Sequence, residues 1–160
     1  MSETNKAVVR RLFDECLNGH NPDLYSELYS EVVYRSPLFG QLRNGEHRQF
    51  LGSVLAGFPD AHWTIEDQFS DQARVVTRWS FFATHNGTFL GIEATGRQLH
   101  SQGISIHRIV GGKIVEEWSE WDTLGVMQQW GFVPIETSLG TWLAPSESAV
   151  LDEWDSAGRL

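Results

Sequence analysis

Two strand-like runs in the second half of the chain carry the side chains best suited to moving a proton: His107 on the first, and Asp122 at the end of the second. Gly111 and Gly112 lie between them. If this pair forms a two-residue turn, Val110 pairs with Lys113, and the register sets His107 opposite Glu116, Ser105 opposite Trp118 and Ser101 opposite Asp122, all on one face. A three-residue turn with a bulge would break that register. The other face then carries Ile104, Ile106, Arg108, Val115, Glu117, Ser119 and Trp121, a mixed set fit for an exterior or an oligomer surface. Trp79 and Phe81 share one face of the preceding run and could furnish an apolar wall; which face of that run points inward is left open.

Each candidate also has a plainer role. Asp122 precedes a short helical stretch starting at Thr123, so it is either an acid/base group or an N-cap accepting a backbone N–H. His107 could donate to a substrate carbonyl, orient Asp122, or be tied to a neighbouring backbone group. Glu116 is a second acid/base group or, preferably, an ion-pair partner of His107 or an arginine. Tyr34 and Arg35 suit substrate oxygens and suit an exposed strand end equally well. His85, within Thr84-His85-Asn86-Gly87, looks like a turn device.

Helical spacing places these strands after an α-helical start. Val8/Val9, Leu12/Phe13 and Cys16/Leu17 form one apolar face of a helix ending at Gly19. Asn21-Pro22 supplies a cap and first-turn proline for a second, short helix bearing Leu24, Tyr25, Leu28 and Tyr29. Glu31 to Arg35 is β-prone, Pro37 and Gly40 mark a loop, and Gly45 to Gly57 is a third helix with Phe50, Leu51, Val54, Leu55 and Phe58 on its face. The period then becomes two: Trp63 to Phe69, Ala73 to His85, Arg97 to Ile109 and Lys113 to Asp122 predict a four-stranded antiparallel meander, with a last short helix over Thr123 to Gln129. Helices followed by strands predict an α+β fold in which N-terminal helices cover a cone-shaped, strongly curved antiparallel sheet. Residues 1–132 form one domain and 133–160 an extension of it, where Trp142 and Trp154 either lock onto a neighbouring subunit or cover the cone mouth.

Composition bounds the partners. With 160 residues, one domain with a substantial core is expected. A net charge of −9 argues against nucleic acid and against a basic membrane-surface protein, which leaves a neutral or weakly polar small molecule as the better partner. One cysteine, Cys16, cannot make an internal disulfide, and neither a signal peptide nor an apolar run near the ~20 residues that span a bilayer is seen, so a cytoplasmic protein is expected. His20, His47, His62, His85, His100 and His107 show no metal-ligand spacing, and no phosphate loop or dinucleotide fingerprint occurs; no metal and no cofactor are expected. Seven Trp and nine Phe suit an apolar pocket as readily as a core.

Phe58-Pro59-Asp60, Thr84-His85-Asn86-Gly87, Phe89-Leu90-Gly91, Thr95-Gly96, Gly103-Ile104 and the run from Gly112-Lys113-Ile114-Val115-Glu116-Glu117-Trp118 to Asp122, then Leu124, Gln128-Gln129 and Gly131, follow one another in an order and spacing that resembles the SnoaL-like polyketide cyclases of the NTF2-like superfamily, over roughly Asn5 to Gly131. The resemblance implies a cone-shaped α+β barrel, a homodimer or homotetramer formed through the outer sheet, a small hydrophobic or polycyclic substrate, and cofactor-free closure of a polyketide ester by intramolecular aldol condensation. It also implies an acid/base aspartate on the last strand with a histidine nearby, and Asp122 and His107 match those positions best. At Arg35 members often carry His, a departure that leaves the substrate open. Aldol closure needs a base to take a proton from a carbon between carbonyls and an acid for the oxygen formed; a carboxyl desolvated by aromatic rings serves both steps. The competing readings are an isomerase or hydratase on a steroid- or terpenoid-like substrate, and a non-enzymatic small-ligand-binding protein.

Overall fold

The computed structural model describes residues 2–132; the predicted extension over 133–160, with Trp142 and Trp154, lies outside the described residues. Helix α1 (Ser2–Arg11) continues into a wider π turn over Leu12–Leu17, which buries Leu12, Phe13, Cys16 and Leu17. The predicted first helix is thus present, with its last turn unwound from α geometry. Asn18, just beyond it, clamps the segment to the sheet: its amide donates to the carbonyl of Trp63 and accepts from the Trp63 N–H, both at 2.8 Å. A 3₁₀ turn, Pro22–Leu24, leads into α2 (Tyr25–Leu28); Asn21 precedes it but makes no side-chain cap bond.

The remaining elements are β1 (Tyr29–Ser36), β2 (Gly40–Arg43), α3 (Asn44–Gly57), β3 (His62–Asp71), β4 (Arg74–Thr84), β5 (Gln98–Val110), β6 (Lys113–Trp121) and α4 (Thr123–Trp130). The four-strand meander and the three later helices stand close to where periodicity put them. The sheet differs from the expected antiparallel cone in two ways. It has six strands in the order β2-β1-β6-β5-β4-β3, with β1 parallel to β6, so it is mixed. It is also open, with β2 and β3 as edges. β2 was expected as loop because its four residues carry no alternating apolar pattern. The parallel pair arises because β1 is separated from β6 by four strands and a helix, which is ample chain for a crossover.

Two apolar clusters sit on the concave face. One joins Val9, Leu12, Phe13, Tyr29, Val32, Val75 and Trp79 under α1; the other joins Phe58, Ala83, Phe89, Leu99 and Val126 at the α4 end. Trp63, Phe81 and Trp121 touch both. The cavity described next runs along the concave face of the sheet between them.

Two irregularities decide which side chains enter the cavity. The turn at Gly111-Gly112 has the positive φ values of a two-residue hairpin, 58° and 76°, and Val110 pairs with Lys113 as expected. One residue later the ladder slips. Ile109 faces Ile114 but Arg108 faces Glu116, so Val115 is an extra residue on β6. Beyond this bulge His107 pairs with Glu117, Ser105 with Ser119 and Gly103 with Trp121. A one-residue slip exchanges the two faces of a strand, so Glu117, Ser119 and Trp121 turn inward and Glu116 and Trp118 turn outward. The second irregularity lies in β1, between Tyr29 and Val33, where Glu31 has φ 49°. It brings Tyr29, Val32, Tyr34 and Ser36 to the buried side, and leaves Arg35 outside with its guanidinium 5.4 Å from the Trp118 ring centroid.

Candidate active site

The concave face carries a cavity of about 150 Å³, walled by aromatic and aliphatic side chains from the π turn that follows α1, from α3 and α4, and from the inner faces of the strands. Its ionisable groups gather at the end nearest α1, around Glu117. Tyr29 donates its hydroxyl to Glu117 Oε2 at 2.8 Å, and Ser119 donates to Oε1 at 3.2 Å. Behind Ser119, Ser105 lies 2.8 Å away, and Trp79 Nε1 donates to Ser105 at 2.9 Å. With Trp79 able only to donate, the hydrogens run Trp79 to Ser105 to Ser119 to Glu117. Both carboxylate oxygens therefore accept, which is the arrangement of an ionised group.

Two imidazoles flank this carboxylate. His107 Nε2 is 3.6 Å from Oε1, and His47 Nε2 is 3.9 Å from Oε2; both rings are essentially removed from solvent. The Tyr25 hydroxyl holds His47 from behind, 3.2 Å from Nδ1 and 3.1 Å from the Asn44 carbonyl oxygen, while Tyr34 stacks on the same ring at 4.6 Å and 14°. All three tyrosines of the chain thus surround one buried carboxylate–imidazole group. Burial opposes the charge of Glu117, but the imidazole of His107, then His47 and the hydroxyl of Tyr29, outweigh it and bring its pKa down to about 2. Burial holds His47 below its ordinary value against the pull of Glu117, so its ring is neutral near pH 7. Burial, reinforced by the charge of Glu117, raises Tyr34, so its hydroxyl stays protonated and able to donate. Both ring nitrogens of His107 lack a hydrogen-bond partner among the described residues. No group of three or more His, Cys, Asp or Glu among the described residues is arranged to hold a metal ion.

The sequence pattern of the SnoaL-like polyketide cyclases matches residues 7–130. The chain belongs to the SnoaL-like polyketide cyclase family. No curated protein sequence matches it. Among solved structures, it is similar to a provisionally assigned SnoaL-like polyketide cyclase from Jannaschia sp. CCS1, at TM-score 0.75 and 20% identity over 83% of this chain and 95% of that one. It is also similar to a SnoaL-like polyketide cyclase from Agrobacterium tumefaciens, at TM-score 0.64 and 23% identity over 79% and 98%. An epoxide hydrolase of M. tuberculosis described as LEH-like shares the fold at TM-score 0.63 and 14% identity, over 80% and 90%. At these identities the likeness carries the NTF2-like fold and no residue assignments.

Within this SnoaL-like fold, Trp79, Phe81, Ser105, His107 and Tyr34 line the cavity. Glu116, Trp118 and Arg35 do not: the bulge at Val115 and the irregularity in β1 turn them to the outer face, where Glu116 accepts from Arg108 at 2.9 Å. Asp122 is exposed at the N-terminus of α4 and accepts the Gly125 N–H at 2.9 Å, the capping role weighed above; it is not part of the cavity wall. An Asp122→Ala variant is expected to lose about 1 kcal/mol, whereas Asn caps as well as Asp, so Asp122→Asn should unfold at an unchanged urea midpoint. If Asp122→Asn instead loses turnover while binding ligand normally, the aspartate is doing chemistry.

Glu117, His47 and Tyr29 were absent from the predicted site. The bulge that turns Glu117 inward has no signature in its own residues. His47 did have one: it lies three and four residues before Phe50 and Leu51, on the apolar face of α3. The family motifs also find their uses here. Asp60 accepts the Thr84 N–H at 2.7 Å, and His85 is fully buried, with Nδ1 accepting the Thr95 N–H at 3.3 Å to knot the rim segment.

Proposed function

We propose that this protein is a cofactor-independent cyclase in which His107 removes a proton from a carbon next to a carbonyl and the resulting enolate closes a ring by intramolecular aldol addition. The observation that carries this reading is the buried pair of Glu117 and His107 at the polar end of an otherwise apolar cavity. Glu117 is already ionised and fixed by Tyr29 and Ser119, so it can orient the imidazole and balance the charge when His107 takes a proton. Tyr34, held protonated by burial, donates to the oxygen that becomes negative as the carbon–carbon bond forms. Apolar walls exclude water from the enolate, which strengthens each of these interactions.

The test uses 1-phenylhexane-1,5-dione, whose terminal enolate attacks the aryl ketone and, after loss of water, gives 3-phenylcyclohex-2-enone with a new ultraviolet band. Run in heavy water, the reaction also reports α-proton exchange by NMR. Ring closure at a rate abolished by His107→Phe is the expected result. Exchange without closure would move the reading to an isomerase, and neither, with the diketone bound, to a ligand-binding protein.

A further inference from the structure

The inner face of β5 carries a polar stripe. Ser101, Gly103, Ser105 and His107 follow one another at alternate positions, between Leu99 and Ile109. At the α1 end the polar groups are engaged around Glu117: Ser105 is held between Trp79 and Ser119, and His107 stands against the carboxylate. Ser101 is different. It lines the cavity, pairs across the ladder with Phe81, and lies where α4 closes the far end, since Gln129 of α4 accepts the His100 N–H and donates to its carbonyl. Its Oγ is buried and has no hydrogen-bond partner among the described residues. Trp130 of α4 lines the cavity too, and its Nε1, also buried, is unpartnered among the described residues. Around these two atoms the wall is apolar, with Phe58, Phe89, Leu99 and Val126.

A buried hydroxyl facing an apolar wall is costly unless something bonds it, and alanine would fill the position without that cost. Ser101 and His107 lie six positions apart on an extended strand, roughly 20 Å along the backbone before curvature and side-chain reach shorten it. We infer that Ser101 is a substrate-positioning residue that donates a hydrogen bond to a second oxygen of the ligand, at the end remote from the reacting carbon, so that the cavity selects elongated apolar molecules with a carbonyl at each end. This rests on the proposed function only in naming Glu117 and His107 as the reacting end. Two anchors fix which end of such a ligand meets His107, and with it which carbon loses a proton.

The experiment compares 4,4′-diacetylbiphenyl with 4-acetyl-4′-ethylbiphenyl, two rods of the same shape that differ in one carbonyl, by quenching of tryptophan fluorescence. The protein should bind the diketone about five to ten times more tightly. In Ser101→Ala the two affinities become equal while that for the monoketone is unchanged; a thermal melt confirms the fold, and Ser101→Thr, which keeps the hydroxyl, retains the preference. An undiminished diketone preference in Ser101→Ala overturns the inference, as does its absence in the unaltered protein. Failure of the cyclase reading looks different: the diketone preference persists in a protein that neither exchanges α-protons nor closes rings.

Discussion

If the protein is the cyclase proposed above, Glu117→Gln is expected to lower the rate of α-proton exchange and ring closure by about 10²- to 10⁴-fold while diketone binding persists. The amide is nearly isosteric and can still accept the Tyr29 hydroxyl, so the walls of the cavity stay in place. What it lacks is the negative charge beside His107 Nε2, 3.6 Å away, without which an imidazolium forms unaided in an apolar surround. A Gln variant with full activity would remove Glu117 from the chemistry. The same group leaves a thermodynamic mark. Its folded-state pKa, about 2, lies below the ordinary 4.5, so in acid the unfolded chain binds the proton more readily. The stability contributed by the charged form is therefore complete above about pH 4.5 and is lost as pH falls from there toward 2. Urea midpoints measured across that window should fall more steeply for the unaltered protein than for Glu117→Gln.

The second large effect is structural and falls on Gly103. A Cβ added there meets the Glu120 carbonyl oxygen at 2.6 Å, Trp79 Cζ2 at 2.6 Å and Trp121 Cβ at 2.9 Å. Two of these are set by the backbone of the neighbouring strand and cannot swing away. Gly103→Val is expected to cost about 1–3 kcal/mol by overpacking, read as a lower urea midpoint at constant m-value. It also displaces Trp79 and so breaks the bond from its indole to Ser105, the outer link of the chain of donors that ends on Glu117. A variant as stable as the parent would mean that β5 and β6 can spread there without penalty.

Why the architecture was readable and the site only half so comes down to period. Apolar spacing near four in residues 8–17 and alternation from Trp63 onward are repeated signals, and the helices and the meander appear where they predict. The family motifs point the same way. Asp122 was legible as a residue with two opposed roles, and its contact with Gly125 fits the cap. The inward set on β6 depended on a single unpaired residue, Val115, which is chemically ordinary; a bulge is a property of the pairing of two strands and not of either alone. The reading of Tyr34 and Arg35 as a pair fails for the same kind of reason, because adjacent residues on a strand cannot share a face. His47 is the exception, because its helical phase was available.

The bulge also bears on how such a protein diverges. Strand β6 carries two complete sets of side chains beyond Val115: Glu117, Ser119 and Trp121 on one side, Glu116, Trp118 and Glu120 on the other. Were the ladder to run on regularly from Ile114, with Val115 instead of Glu116 opposite Arg108, the alternation of the pleat would present the second set to the cavity without changing a single one of those residues, whereas loss of Val115 would close the bulge and keep the first set inward. A lineage that shifts this one pairing acquires a differently furnished interior in one step, and its relatives would align cleanly in sequence while disagreeing about which residues face the cavity.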